Sequence, residues 1–387
     1  MRVLVSTTAG AGHFGPLLPF ANAFQRAGHE VLVAAPESFT AAVGQAGFPH
    51  WPFADAPQEQ WAAVMARLPQ LSRDEAEALV IGDVFAGMDV RAALPRTLAA
   101  VEQWRPDLVL WENAEFSGPL AAERFGVAHA RVGVSLARGE VRFGSLVAAK
   151  LAPVREAFGL APDPEGDALA RCPYLTLFPR SFEDPAAPGP ADAHRHRDGH
   201  HRPGTADGAG EWPLVYVTFG TVAAGIPLYA PALTAVVGAL AAEAGIRVLV
   251  TVGHNGDPAA LGPLPPHVRV ERWVPQDDVL AEAAVVVCHG GSGTVLGALV
   301  AGVPLVVVPL FADQPDNAER VAAVGAGVVV DPAVATAPEG AEEVRAALRR
   351  ARQDPSYRDA AGRLAEEIAA LPPADEAVEM LQRYATS

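Results

Sequence analysis

The chain has 387 residues, 50% hydrophobic and only 19% charged, which is apolar side chain enough for two cores and excludes a disordered protein. A formal net charge of -16 excludes bulk electrostatic attraction to nucleic acid or anionic lipid, so an anionic ligand has to be held by local groups. Two distant cysteines, Cys172 and Cys288, fit a reducing compartment, and the start MRVLVSTTAGAGH lacks the basic, apolar and cleavage regions of a signal peptide. A cytoplasmic protein with no nucleic-acid or membrane partner is expected, with a homodimer left open.

From the N-terminus, Arg2 to Ser6 reads as a short buried strand, followed by a glycine-rich turn, a helix that Gly28 stops and a second strand from Glu30 to Ala35. That is a βαβ unit. Strands at Asp107–Trp111 and Val127–Val134 flank a helix at Phe116–Phe125, so residues 1–180 are predicted to be a doubly wound α/β domain. The Pro/Gly-rich stretch 181–212 reads as a linker, and the histidines of HRHRDGHHR within it as a solvated hinge rather than a metal site. The alternation restarts with strands at Leu214–Phe219, Ile246–Val252, Val268–Glu271, Ala284–Cys288, Pro304–Val308 and Gly327–Val330, a second α/β domain over 213–365. The tail from Pro355 to Tyr384 is helical and is broken by Pro372 and Pro373.

Residues 10–15, Gly-Ala-Gly-His-Phe-Gly, formally match the dinucleotide fingerprint G-x-G-x-x-G, which would make the chain a nicotinamide-dependent oxidoreductase. The second strand then ought to end on an acidic residue for the ribose, yet EVLVAAP ends on Ala34, Ala35 and Pro36. The other reading turns on His13, placed where a parallel sheet projects side chains beyond its carboxyl ends and a general base would stand; a helix cap or a solvent-facing ring is the plain alternative. The second domain carries the stronger signal. His289-Gly-Gly-Ser-Gly-Thr294 lies between a buried-type strand and a helix, where glycines and the helix N-terminus favour phosphate, with histidine as local cation or donor in place of a P-loop lysine. Trp273 upstream suits nucleobase stacking, and Asp313 with Gln314 downstream suits sugar hydroxyls.

The series RWVPQ, CHGGSGT, AGVP and P-x-x-ADQ-x-x-NA, with GHFGPLLP around residue 13, resembles the actinobacterial natural-product glycosyltransferases of glycosyltransferase family 1. The resemblance implies a GT-B fold: two Rossmann-like domains facing across a cleft, acceptor on the first, nucleotide-sugar on the second, and a C-terminal helix over 366–387 crossing back. On matching positions it implies His13 as base, Trp273, Val274 and Gln276 as nucleobase or ribose contacts, and His289, Gly291, Ser292, Gly293 and Thr294 as the pyrophosphate cradle. Gly220 and Thr221 would form a second phosphate-side loop, and Asp313 and Gln314 would hold the donor sugar. The carboxylate that the family pairs with its histidine falls on Glu112, where relatives frequently have Asp, with Glu115 as the alternative. A glutamate that binds both ribose hydroxyls in users of UDP-sugars falls on Gly297, which favours a dTDP-activated, deoxygenated sugar. Phe53, Trp61, Met65, Phe85, Met88, Phe116 and Phe143 are candidates for an apolar acceptor pocket. The resulting expectation is inverting transfer with no metal or other cofactor; a nucleotide-sugar epimerase of the same fold and an inactive helper of another transferase stay open beside it.

Overall fold

The computed structural model describes residues 1–199, 212–220, 230–254 and 256–386. They divide into two compact units: residues 1–177, 185–198 and 372–387 form the first, and 178–184 with 199–371 the second.

The first unit is a seven-stranded sheet in the order β3-β2-β1-β4-β5-β6-β7, parallel throughout. Its strands are β1 (Arg2–Ser6), β2 (Glu30–Pro36), β3 (His50–Phe53), β4 (Leu108–Glu112), β5 (Ala128–Val132), β6 (Tyr174–Thr176) and β7 (His194–Arg195). Both faces are covered, so the alternation along a strand divides its side chains between two cores rather than between core and water. Val3 and Val5 of β1 enter the cluster with Phe20 and Phe24 of the helix Leu18–Arg26, while Leu4 enters the opposite cluster with Leu94 and Trp111. β3 carries Pro52 and runs along the edge, where a missing N–H costs no ladder bond.

The second unit is a six-stranded parallel sheet in the order β10-β9-β8-β11-β12-β13. It comprises β8 (Leu214–Thr218), β9 (Arg247–Thr251), β10 (Val268–Glu271), β11 (Ala283–Cys288), β12 (Leu305–Val307) and β13 (Gly327–Val329). Val215, Val217, Val285 and Val287 pack one face against the helices Ala230–Ala241 and Gly340–Gln353. No helix among the described residues is long and apolar enough to cross a membrane.

Two expectations change. The stretch 181–212 is not all linker: Arg180–Phe182 is a turn of helix whose Phe182 is buried, and His194–Arg195 adds a strand to the first sheet. Nor is the histidine run a solvated hinge at its start. His196 is buried edge-on against Phe20, with ring centroids 5.6 Å apart, and its Nδ1 lies 3.3 Å from the Pro373 carbonyl oxygen. His200, His201 and Arg202 lie outside the described residues.

The chain returns to the first unit at Pro372. Arg197 N–H donates to Pro372 (2.9 Å) and Ala374 N–H to Arg197 (3.2 Å), and the helix Asp375–Thr386 then buries Ala377, Val378 and Leu381 in the cluster around Phe20 and Phe24. Because Leu381 is fully buried, Leu381→Ala should destabilise the first unit by about 2 to 5 kcal/mol, with a lowered denaturant midpoint as the measurement.

Candidate active site

In each unit the strand order reverses between two neighbouring strands, β1 and β4 in the first and β8 and β11 in the second, and crevices for ligands open at such points beyond the carboxyl ends. β1 and β4 pair Ser6 with Trp111, so the segments leaving them start side by side. After β1 the backbone turns at Gly10, with φ at 131°, into the short helix Ala11–Phe14, which carries His13. β4 ends on Glu112.

His13 Nδ1 stands 3.2 Å from Glu112 Oε1; the imidazole is a quarter exposed and the carboxylate has no exposed surface. Oε1 also accepts from Thr8 N–H (3.2 Å) and Thr8 Oγ1 (3.1 Å), and Oε2 accepts from Ala114 N–H (2.7 Å). Burial pushes the Glu112 carboxyl up, but the His13 charge and these donors outweigh it and hold it below its ordinary range. Glu115 has a different post. It accepts from Ser6 Oγ (2.6 Å), from Ser117 N–H and Gly118 N–H (2.8 Å each) and from Ser117 Oγ, which fixes the start of the helix Ser117–Phe125 to β1. Burial raises its carboxyl above the ordinary range despite those donors. Glu112, not Glu115, therefore faces His13.

Of the apolar residues suggested for an acceptor pocket, the structure brings Phe85 to His13, edge to face with centroids 5.4 Å apart. Phe53 and Phe116 are instead core residues of the cluster around Trp111. Phe143 is buried beneath the Arg142 guanidinium, Trp61 is exposed, and Met65 and Met88 are half-buried.

In the second unit β11 runs between β8 and β12, pairing Cys288 with both Thr218 and Val307, and this gathers the Gly220, His289 and Asp313 segments at one end of the sheet. The helix Ser292–Val300 begins at Gly291 with no side-chain cap, so its first N–H groups have no side-chain acceptor and its dipole leaves partial positive charge there. The glycines have two jobs. A Cβ on Gly220 or Gly291 would come within 2.8 or 2.6 Å of His289 Nε2, so both make room for the imidazole, whereas Gly293 faces open space. Thr221 lies outside the described residues.

Of the two roles expected of His289, local cation or donor, burial removes the first. Burial lowers its pKa to about 4, against a backbone hydrogen bond to Thr218 that raises it, so near neutral pH it is an uncharged donor or acceptor and not a local cation. The dipole and N–H groups of the helix are then the positive end of this turn. Asp313 Oδ2 accepts from Ser292 Oγ (2.5 Å) and Asn317 Nδ2 (3.0 Å), and Asn317 Nδ2 also reaches the Gly290 carbonyl (2.9 Å). Asn317 thus ties the glycine turn to the Asp313 loop. No role had been read for it, although its place four residues after Asp313 on a helix was the available signal. Gln314 is buried, and its Oε1 accepts from Leu310 N–H (2.9 Å) and Phe311 N–H (3.1 Å), bracing the same loop.

Trp273 is 52% exposed, and one face already stacks on His254 at 5.6 Å and 18°. Val274 beside it is half-buried. Gln276 donates weakly to the Gly293 carbonyl and accepts from Thr294 Oγ1 at 3.4 Å, and a Cβ on Gly297 would stand 2.5 Å from Gln276 Nε2. The Gln276 amide therefore fills the space that a side chain at position 297 would take. Among the described residues no three His, Cys, Asp or Glu side chains converge as metal ligands.

Because the Glu112 carboxyl is lowered by folding, its contribution to stability is complete above its unfolded value near 4.5 and is lost as pH falls through the lower folded value. Glu112→Gln should accordingly lower the thermal midpoint at pH 7, by about 2 to 4 °C, and the deficit should shrink as the pH is taken below 4.5.

Residues 22–151 and 234–383 match the N-terminal and C-terminal domains described as erythromycin biosynthesis protein CIII-like. The L-demethylnoviosyl transferase of Streptomyces niveus is 33% identical over 84% of this chain and 84% of its own length. The elloramycin glycosyltransferase ElmGT of Streptomyces olivaceus is 32% identical over 98% and 97%. Among solved structures, the glycosyltransferase SnogD of Streptomyces nogalater aligns with a TM-score of 0.77 at 27% identity, covering 100% and 99% of the two chains. The glycosyltransferase VinC, solved in complex with dTDP, aligns with a TM-score of 0.77 at 28% identity over 100% of both. The oxidoreductase reading of residues 10–15 gives way to these likenesses. With two parallel-sheet domains and such relatives, the chain belongs to the erythromycin biosynthesis protein CIII-like family of GT-B natural-product glycosyltransferases.

Proposed function

We propose that the protein is an inverting, metal-independent glycosyltransferase that moves a sugar from dTDP to a hydroxyl of an apolar natural-product aglycone, with His13 as general base. The observation that carries this reading is the pairing of a partly exposed imidazole with a fully buried, ionised Glu112 at the strand reversal of the first sheet. Glu112 orients the ring and stabilises its charged form, while the exposed part of His13 takes the proton of the acceptor hydroxyl. The deprotonating oxygen attacks the anomeric carbon from the side opposite the diphosphate, and the anomeric C–O bond breaks with its electron pair leaving on phosphate, which inverts that centre. At Ser292–Val300 the uncapped helix N-terminus offers N–H donors and a dipole for the charge that grows on the diphosphate, the task a divalent cation performs elsewhere. Asp313, held by Ser292 and Asn317, presents its remaining carboxylate capacity to the donor sugar.

The donor nucleotide is read from two observations. VinC is a dTDP complex, and in this chain the neutral Gln276 amide occupies the space at Gly297 where users of UDP-sugars carry a glutamate. Without that carboxylate the 2'-hydroxyl of UDP loses a partner, whereas dTDP has none to lose; the bias toward dTDP is roughly 1 kcal/mol. Calorimetry should give the tighter binding for dTDP, and UDP binding equally well or better would refute the assignment.

His13→Ala should reduce turnover by about 100-fold or more while nucleotide binding stays within about twofold, and excess EDTA should leave the wild-type rate unchanged. Turnover near the wild-type rate in the His13 variant sinks the base assignment, and activity that EDTA abolishes and magnesium restores sinks the metal-free account.

A further inference from the structure

Asp313 stands just before the first residue of the helix Gln314–Ala323, where an aspartate ordinarily accepts from the free N–H groups of its own helix. Asp331 and Asp354 do so in this chain. Asp331 accepts from Ala333 N–H (2.7 Å) and Asp354 from Ser356 N–H (3.0 Å), each on extended backbone with ψ at 129° and 110°. Asp313 makes no such bond: its ψ is -10°, and its Oδ2 turns instead to Ser292 Oγ and Asn317 Nδ2. It follows Ala312 in the left-handed region at φ 54°, a conformation unfavourable to alanine that persists only where its surroundings hold it. The carboxylate is thus aimed away from its own helix at a cost to the backbone.

Asn317, one turn into the same helix, has no exposed surface. Its amide nitrogen faces three acceptors: the Gly290 carbonyl oxygen (2.9 Å), Asp313 Oδ2 (3.0 Å) and Ser292 Oγ (3.2 Å), and Ser292 in turn donates to Asp313. Its Oδ1 is buried with no partner among the described residues. Turning the amide over would set that oxygen against a carbonyl and a carboxylate, so the site itself dictates which end donates. An amide that leaves its own acceptor unsatisfied weakens the fold, and what it secures is the placement of Asp313 against the glycine turn.

We propose that Asn317 is a positioning residue for the donor sugar: its amide draws Asp313 off the end of its own helix and ties the carboxylate to the turn that receives the diphosphate. This rests on the reading of Asp313 as the donor-sugar contact. Asn317 touches neither sugar nor phosphate, being fully buried behind Asp313 and Ser292, and it acts through them. With the amide in place, the group that holds the sugar and the group that holds the leaving diphosphate keep one fixed relation, which an in-line displacement requires. Without it, Asp313 relaxes toward the capping geometry of Asp331 and Asp354, and its carboxylate leaves the sugar. The signature is selective: recognition of the sugar falls while recognition of the nucleotide holds.

The test is calorimetric binding of dTDP and of dTDP-glucose to wild type, Asn317→Ala, Asn317→Asp, Asp313→Ala and the double variant Asp313→Ala with Asn317→Ala, each checked for folding by thermal unfolding. The readout is the ratio of the two affinities, dTDP-glucose over dTDP, which a general loosening of the second unit leaves unmoved. Asp313→Ala and Asn317→Ala should each lower that ratio about fivefold or more, with dTDP binding within about threefold of wild type. Asn317→Asp keeps the shape and removes the donor, so it should lower the ratio at least as far, and it preserves the comparison if the Ala variant folds poorly. In the Asp313→Ala background, Asn317→Ala should change the ratio by less than about twofold, because its effect runs through Asp313. A ratio unmoved in the Asn317 variants, independent losses that add in the double variant, or unfolding of both Asn317 variants overturns the proposal. A ratio unmoved in Asp313→Ala overturns the reading of Asp313 beneath it, and the two failures are thereby distinguished.

Discussion

Glu112 carries a negative charge with none of its side chain exposed, and the active end of the first unit is organised around keeping that charge satisfied. A buried ionised carboxylate is tolerable only with several donors and an opposite charge at hand. β4 delivers it to the end of the sheet, the chain beyond turns so that Ala114 N–H points back, and Thr8 after β1 supplies two more donors. What remains of its field falls on His13. The neighbouring Glu115 meets the same burial with a different solution, in which the N-terminus of the following helix and Ser6 take up its oxygens and nothing is left for the imidazole.

The second unit uses the same parallel architecture to opposite electrostatic effect. β8 and β11 bring Thr218 beside Cys288, as β1 and β4 bring Ser6 beside Trp111, and the segments that follow hold polar groups at the strand reversal. There, however, the ionisable side chain at the turn is uncharged: His289 is buried between Gly220 and Gly291 and held near pKa 4. The positive end is left to peptide dipoles, which need no counter-ion and do not titrate. In a chain with a net charge of -16, the glycine turn thus carries its partial positive charge on the backbone rather than on a side-chain cation.

Much of this was legible in the sequence because the signals are local. The β-branched runs of β1, β2, β8, β10 and β11 announce buried parallel strands, and Pro372-Pro373 separates the helix Pro355–Ala370 from the helix Asp375–Thr386. β3, β6 and β7 were not visible, since β3 contains Pro52, β6 (Tyr-Leu-Thr) lacks the run of valines that marks the equally short β12 and β13, and β7 spans two residues. Histidine at 289 was identifiable but its protonation was not, because charge state depends on burial by residues distant in sequence. The same limit applies to Phe53 and Phe116, which carry the composition of pocket residues and the environment of core.

The return of residues 372–387 to the first unit has a consequence for synthesis and for recombination. During translation the cluster around Phe20 and Phe24 lacks Ala377, Val378 and Leu381 until the chain beyond the second unit emerges, so the unit begun first is closed only after the second has been made. Residues 178–184 interleave the units in the other sense, with Arg320 donating to the Phe182 carbonyl oxygen at 3.0 Å inside the second unit. A chimaera that exchanges acceptor domains between relatives at one junction would therefore separate each core from a piece of itself. The natural exchangeable parts are discontinuous, and the segment 372–387 has to travel with the N-terminal half although the second unit separates the two in sequence.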